Sequence, residues 1–171
     1  MTTRWRLAAP LSLSLSLAYV GFAGDASAQQ YLIGASLGLS SGIEGGGAAG
    51  GLFRTRTRLR LGADLRVDEF PDDIFEFAAV AELEPKAGFG ADARYARAAG
   101  EHFIVDAGLI GILAPASLYG ACAGLDYRLP ISKRTQILFG PEADFYFLGS
   151  DLPDGTVIWE LRLQAGIRAD L

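Results

Sequence analysis

Residues 53–67 read FRTRTRLRLGADLRV. The odd positions are Phe53, Thr55, Thr57, Leu59, Leu61, Ala63, Leu65 and Val67. The even positions are Arg54, Arg56, Arg58, Arg60, Gly62, Asp64 and Arg66. An extended strand points successive side chains to opposite faces, so this segment has one oily face and one heavily charged face.

The pattern recurs to the end of the chain. Phe75, Phe77, Ala79, Ala81 and Leu83 continue it, as do Phe103, Val105, Ala107, Leu109, Gly111 and Leu113. So do Ile137, Phe139, Pro141, Ala143, Phe145 and Phe147, and then Trp159, Leu161, Leu163, Ala165, Ile167, Ala169 and Leu171. Turn residues divide the pattern into strands predicted at 31–39, 52–67, 74–84, 87–97, 102–113, 117–129, 135–148 and 156–171. Several exceed the ~5–6 residues of an average strand in a soluble protein. They match the ~9–11 residues of a tilted membrane-spanning strand. The expected fold class is all-β: an eight-stranded antiparallel up-and-down transmembrane β-barrel. Pro141 cannot donate to a ladder and predicts a bulge or an edge at its position.

Composition agrees. Half of the 171 residues are apolar and 22 are Gly, yet no apolar run after residue 30 approaches the ~20 residues a membrane helix needs. Alternation dilutes the hydrophobic residues of lipid-facing strands in this way. The N-terminus reads differently. Arg4 and Arg6 precede an apolar stretch from Leu7 to Phe22, and Ala26-Ser27-Ala28 supplies small residues for cleavage. Residues 1–28 are therefore expected to be a cleaved signal peptide, and 29–171 the barrel. The formal net charge of −5 argues against nucleic acid as a partner, which wants a basic face.

With the N-terminus on the periplasmic side, the aromatic residues sort into two belts. Tyr31, Phe75, Tyr95, Phe103 and Tyr127 fall near the periplasmic strand ends. Phe53, Phe89, Tyr119, Phe147 and Trp159 fall near the outer ends. Membrane interfaces select two such girdles around an aliphatic band. The partners implied are outer-membrane lipid and lipopolysaccharide.

If the odd face meets lipid, the even face lines the lumen, with Arg54, Arg56, Arg58, Arg60, Arg66, Glu76, Glu82, Glu84, Arg94, Asp106, Glu142 and Arg162 as its ion-pair network. A hairpin closed around Asp68–Asp73 opposes Arg66 to Glu76, Arg60 to Glu82 and Arg58 to Glu84. Arg94 with Asp106 and Glu142 with Arg162 are further expected pairs. Opposite charges across strands stabilise their pairing, and a plugged lumen needs nearly balanced signs because unpaired buried charge is costly. Gly34, Ser36 and Gly38 leave room for the arginines opposite.

No catalytic or metal-ligating constellation is read from the sequence. The single Cys122 and single His102 form neither a disulfide nor a metal cluster, and no Ser–His pair with an orienting group is placed by this topology beyond Ser132 near His102. Gly45, Gly47 and Gly50 match a GxGxxG spacing, but strand follows where a dinucleotide fold needs a helix. Asp68, Glu69, Asp72 and Asp73 read as a solvated turn and not as a Ca²⁺ loop. No cofactor, no metal and no enzymatic activity are expected.

Leader, alternating strands, aromatic belts and charged even face together resemble the small eight-stranded outer-membrane barrels, the OmpA-like and OmpX-like transmembrane domains. The resemblance rests on architecture and covers residues 29–171. It implies an integral outer-membrane protein of a Gram-negative bacterium, inserted by the barrel-insertion machinery through its C-terminal strand, 156–171. Those barrels usually end in an aromatic residue, whereas this chain ends in Leu171. Short external loops and a paired lumen point to a structural, envelope-integrity role. The alternatives are a narrow porin-like pore or transporter for small solutes, guided by the strand-two arginines, and a secreted soluble lipocalin-like ligand-binding barrel with its oily face inward.

Overall fold

The computed structural model describes residues 31–46, 54–67, 69–150, 152 and 155–171. The leader, Phe53, Gly47, Gly50, Asp68, Asp151 and Asp154 lie outside the described residues. Eight strands follow one another: β1 (Tyr31–Gly46), β2 (Arg54–Val67), β3 (Phe70–Glu84), β4 (Gly88–Ala98), β5 (Phe103–Ala114), β6 (Leu118–Pro130), β7 (Thr135–Gly149) and β8 (Ile158–Asp170). Each pairs antiparallel with the next, and β8 pairs with β1, giving a closed up-and-down barrel. Closure gives every strand a neighbour on both sides, which answers the backbone hydrogen-bonding demand that an open edge leaves unmet.

The two faces divide by parity. Even-numbered residues point inward: Arg58, Glu76, Glu142, Asp144, Glu160 and Arg168 are all buried. Odd-numbered residues point outward: Leu163 is 71%, Leu109 68%, Phe77 62% and Leu61 61% exposed. A water-soluble fold hides its apolar residues. This barrel does the reverse.

Two boundaries differ from the sequence reading. Residues 40–46 were expected in a loop, yet β1 runs to Gly46 and pairs with β8 throughout, Glu44 opposite Glu160 and Gly45 opposite Trp159. The glycines that look like loop residues are there because neighbours approach closely. A Cβ on Gly42 would lie 1.9 Å from the Leu161 carbonyl oxygen, and one on Gly45 2.4 Å from the Trp159 ring. Backbone cannot yield as a side chain can, so Gly42→Ala is expected to cost about 1–3 kcal/mol, as overpacking does. A urea titration of the folded barrel checks this, and Gly100→Ser in an open turn (no heavy atom within 4 Å of its Cβ position) gives the contrast for local strain without a clash.

The second difference sets the register of the β2–β3 hairpin. Asp68–Asp73 does not all serve as turn, because β3 begins at Phe70, opposite Val67. The ladder then jumps so that Arg66 faces Ile74, leaving Pro71, Asp72 and Asp73 without β2 partners. Proline fits such a bulge because no ladder donor is required there. The result is a two-residue slip from the expected hairpin. Asp64 faces Glu76, Arg60 faces Val80 and Arg58 faces Glu82. Pro141 makes neither a bulge nor an edge. The β6–β7 ladder lapses at Gly140 and Pro141 and resumes in the same register at Glu142 opposite Gly124, while Pro141 still sits opposite Leu163 of β8.

Candidate functional site

Among the described residues, charged side chains gather most densely in the barrel interior, and their arrangement there follows from the register. Arg58 is 2% exposed. Its guanidinium donates to Glu82 Oε1 at 2.5 Å, Asp144 Oδ2 at 2.5 Å, the Tyr146 hydroxyl at 2.7 Å and Glu160 Oε2 at 3.0 Å. The Tyr146 hydroxyl in turn donates to Asp144 Oδ2 at 3.2 Å. Arg162 joins the same carboxylates from β8, with Nη2 2.6 Å from Asp144 and 3.1 Å from Glu142 and Nη1 on Glu160. Arg56 reaches Glu44 and Glu82 nearer the end of the barrel opposite the termini.

A second knot lies at mid-height. Arg60 makes a two-pronged bond to Asp92, Nε to Oδ2 and Nη2 to Oδ1, both 2.7 Å, and reaches Glu76 Oε1 at 2.9 Å. Arg94 donates to Asp106 at 3.0 Å and Asp92 at 3.2 Å, and also to Glu142. Toward the termini, Arg168 Nη2 lies 3.1 Å from Glu76 Oε2, and its Nε lies 3.3 Å from Asp64. Arg66 pairs with Asp170, and Gln164 Nε2 donates to Asp126 at 2.7 Å.

Several expected partners are thus redistributed. Arg94 and Asp106 are together, as are Glu142 and Arg162. Arg60 meets Glu76 and Asp92 instead of Glu82, Arg58 meets Glu82 instead of Glu84, and Arg66 meets Asp170 instead of Glu76. The slipped hairpin register is the reason. Arg54 and Glu84 lie outside the buried network. Both are exposed at the far strand ends, where Glu84 Oε2 is 3.4 Å from the Thr57 hydroxyl.

The expected near-balance of signs is also corrected. Buried or half-buried arginines are Arg56, Arg58, Arg60, Arg66, Arg94, Arg128, Arg162 and Arg168. The carboxylates around them also include Glu44, Asp64 and Asp126, and they outnumber the guanidiniums. One guanidinium carries five N–H donors in a planar fork, so each of Arg58, Arg94 and Arg162 serves three acids at once. Charge density, and not one-to-one pairing, organises the interior.

Small residues make this fit. A Cβ on Gly34 would lie 2.5 Å from Asp64 Oδ1, one on Gly124 2.4 Å from Asp106 Oδ2, and one on Gly62 2.5 Å from the Ser36 hydroxyl. Ser36 uses that space to donate to Glu76 Oε1 at 2.6 Å. Beside Arg60, Asp126 and Arg168 remains a cavity of about 30 Å³, room for a water molecule or two.

The sequence reading missed two apolar clusters on the even face. Val80, Ile110, Ile112, Leu118, Cys122, Tyr146 and Ile158 pack toward the far end, and Ile74, Ala96, Ile104 and Leu138 toward the termini. The signal was available in the even positions of β5, where Ile104, Ile110 and Ile112 break the charged pattern. Tyr146, sorted with no belt, is fully buried. Cys122 lies in the first cluster, free and buried.

The outward aromatics sit at both ends of the barrel. Near the termini Tyr31, Phe75, Tyr95 and Phe103 are exposed, with Tyr127 half-buried. At the other end Phe89, Tyr119 and Phe147 are exposed and Trp159 is half-buried. Phe75 meets Tyr95 in a tilted pair at 5.5 Å, while Tyr127 collects Phe103 at 5.5 Å, Phe139 at 5.1 Å and His102 at 5.6 Å. His102 therefore serves as a ring neighbour. The Ser132 hydroxyl accepts from the Arg134 amide at 3.2 Å inside its own turn.

No family model and no curated protein matches the sequence. Among solved structures, that of Neisserial surface protein A (NspA) aligns with a TM-score of 0.52 at 13% identity, covering 82% of this chain and 97% of that one. At that identity the likeness is one of fold. The chain has the architecture of the small eight-stranded outer-membrane barrels.

Proposed function

We propose that the chain is an integral outer-membrane barrel, closed to solutes by its interior network, with a structural role in the bacterial envelope. The observation that carries this reading is the inverted burial pattern. Guanidiniums and carboxylates such as Arg58 and Glu160 are shielded from water while Leu163 and Leu109 are among the most exposed residues. Removing such apolar surface from water is worth about 25 cal/mol for each Å², a gain that lipid offers and water does not. The same pattern argues against the secreted soluble alternative, whose oily face would point inward.

The closed interior is supported by the guanidiniums that bridge opposite walls, Arg58 of β2 to Asp144 of β7 and Arg94 of β4 to Glu142 of β7. An eight-stranded barrel is just wide enough for its own side chains. Partners under this reading are lipid and lipopolysaccharide around the aromatic belts, and the insertion machinery engaging β8. The leader would direct export.

Single-channel recording with the purified barrel in a planar bilayer tests the closed interior. The expected record shows no steady conductance at moderate voltage. A large, stable conductance whose ion selectivity changes when Arg56 and Arg60 are replaced by Gln would instead establish the transport reading.

A further inference from the structure

At the end of the barrel that carries the termini, residues of the β6–β7 turn line a recess of about 270 Å³. Four cationic side chains line it, Arg66, Arg128, Lys133 and Arg134, against two carboxylates, Glu101 and Asp170. This concentration stands out in a chain whose formal net charge is −5. Asp170 already pairs with Arg66. Among the described residues, no carboxylate lies within ion-pair distance of Arg128, Lys133 or Arg134.

The Arg128 guanidinium and the backbone of the turn that carries Lys133 and Arg134 are held in place. Arg128 Nε and Nη2 donate to the Glu101 backbone carbonyl at 3.1 and 2.7 Å, which orients the guanidinium without neutralising it. The turn itself is fastened. The Ile131 and Ser132 amides donate to the Thr135 carbonyl at 2.9 and 3.0 Å, and the Asp170 amide of β8 donates to the Arg134 carbonyl at 2.7 Å. An oriented guanidinium that shares a recess with further Arg and Lys side chains is a combination that recognises phosphate oxygens. The excess of cations over carboxylates matches the charge of a phosphomonoester at neutral pH, about −1.5 to −2.

We propose that this recess binds a phosphate group of the monoester class. Two sources fit: a soluble phosphate, or the headgroup of a lipid whose chains lie against Leu129 and Ile131, the exposed apolar residues beside the turn. The reading is independent of whether the barrel conducts.

The test uses the full barrel refolded in a phosphate-free maltoside detergent. Inorganic phosphate is titrated by calorimetry, and retention of phosphatidic acid over phosphatidylcholine is measured by mass spectrometry of the protein–detergent complex. Saturable binding of phosphate assigns a soluble ligand. Retention of phosphatidic acid without phosphate binding assigns a headgroup. In either case the double variant Lys133→Gln/Arg134→Gln, both on the exposed turn, should bind at least tenfold more weakly, while Lys86→Gln at the opposite end should bind as the parent does. The heat-modifiable gel band of each variant shows that it has folded. Saturable binding of neither probe would overturn the proposal. So would a folded double variant that binds as tightly as the parent.

Discussion

Arg58→Ala is expected to destabilise the folded barrel by about 3–5 kcal/mol, the cost of removing one partner from a buried ion pair. The side chain is 2% exposed and holds Glu82, Asp144 and Glu160 from three other strands. Without it, three carboxylates converge on a space that water does not reach, and the Tyr146 hydroxyl loses its donor. The network does not by itself stabilise the fold relative to an apolar filling, since desolvating so many charges offsets most of their attraction. Its sensitivity is one-sided: each member is worth little in the whole and much when removed alone. Arg58→Lys should fall between, because an ammonium keeps the charge but cannot span four acceptors with a planar fork. Urea-induced unfolding from phosphatidylcholine vesicles reads the difference. A midpoint for Arg58→Ala equal to that of the parent would contradict the pairing described here.

Leu163→Arg is the second large effect, and it tests the outer face. Leu163 lies mid-strand in β8, opposite Pro141 of β7 and Ser41 of β1, and is 71% exposed. On a water-facing surface such a substitution changes stability by no more than about 0.5 kcal/mol. On the lipid face of a transmembrane barrel, Arg near the bilayer midplane costs about 2–4 kcal/mol. The same urea titration in vesicles should show that loss for Leu163→Arg and a smaller one for Leu129→Arg, nearer the interface at the end of β6. Equal, negligible effects at both positions would mean that the odd-numbered face does not sit in lipid.

Much of this architecture was legible from residues 53–67 alone. Strict parity needs no tertiary information, since the pleat sends alternate side chains to opposite faces. The outward oily face carried through every strand, while the inward face is charged in most strands and apolar along much of β5. Register was harder to read. The hairpin between β2 and β3 turns on a bulge at Pro71, Asp72 and Asp73, and nothing local separates an acidic bulge from an acidic turn. A two-residue slip keeps every side chain on its own face, so the correct faces came with displaced partners, Arg60 on Glu76 and Asp92 instead of Glu82. The far half of β1 was missed for a different reason. Gly42, Gly45 and Gly46 have loop-like composition, but the need for small residues comes from β8 pressing against them, a demand that exists only once the barrel closes. Contacts across the lumen, such as Arg58 to Asp144, depend on the circumference of the whole sheet and have no signature in sequence spacing.

The central claim is that the charged face is inside and the oily face meets lipid. Electrophoresis of membrane-fraction protein in SDS, with and without boiling, tests it most directly. The account predicts protein that sediments with outer membranes and migrates faster unboiled than boiled, as a closed detergent-resistant barrel does. Protein that remains in the soluble fraction and shows no heat-dependent shift would contradict it.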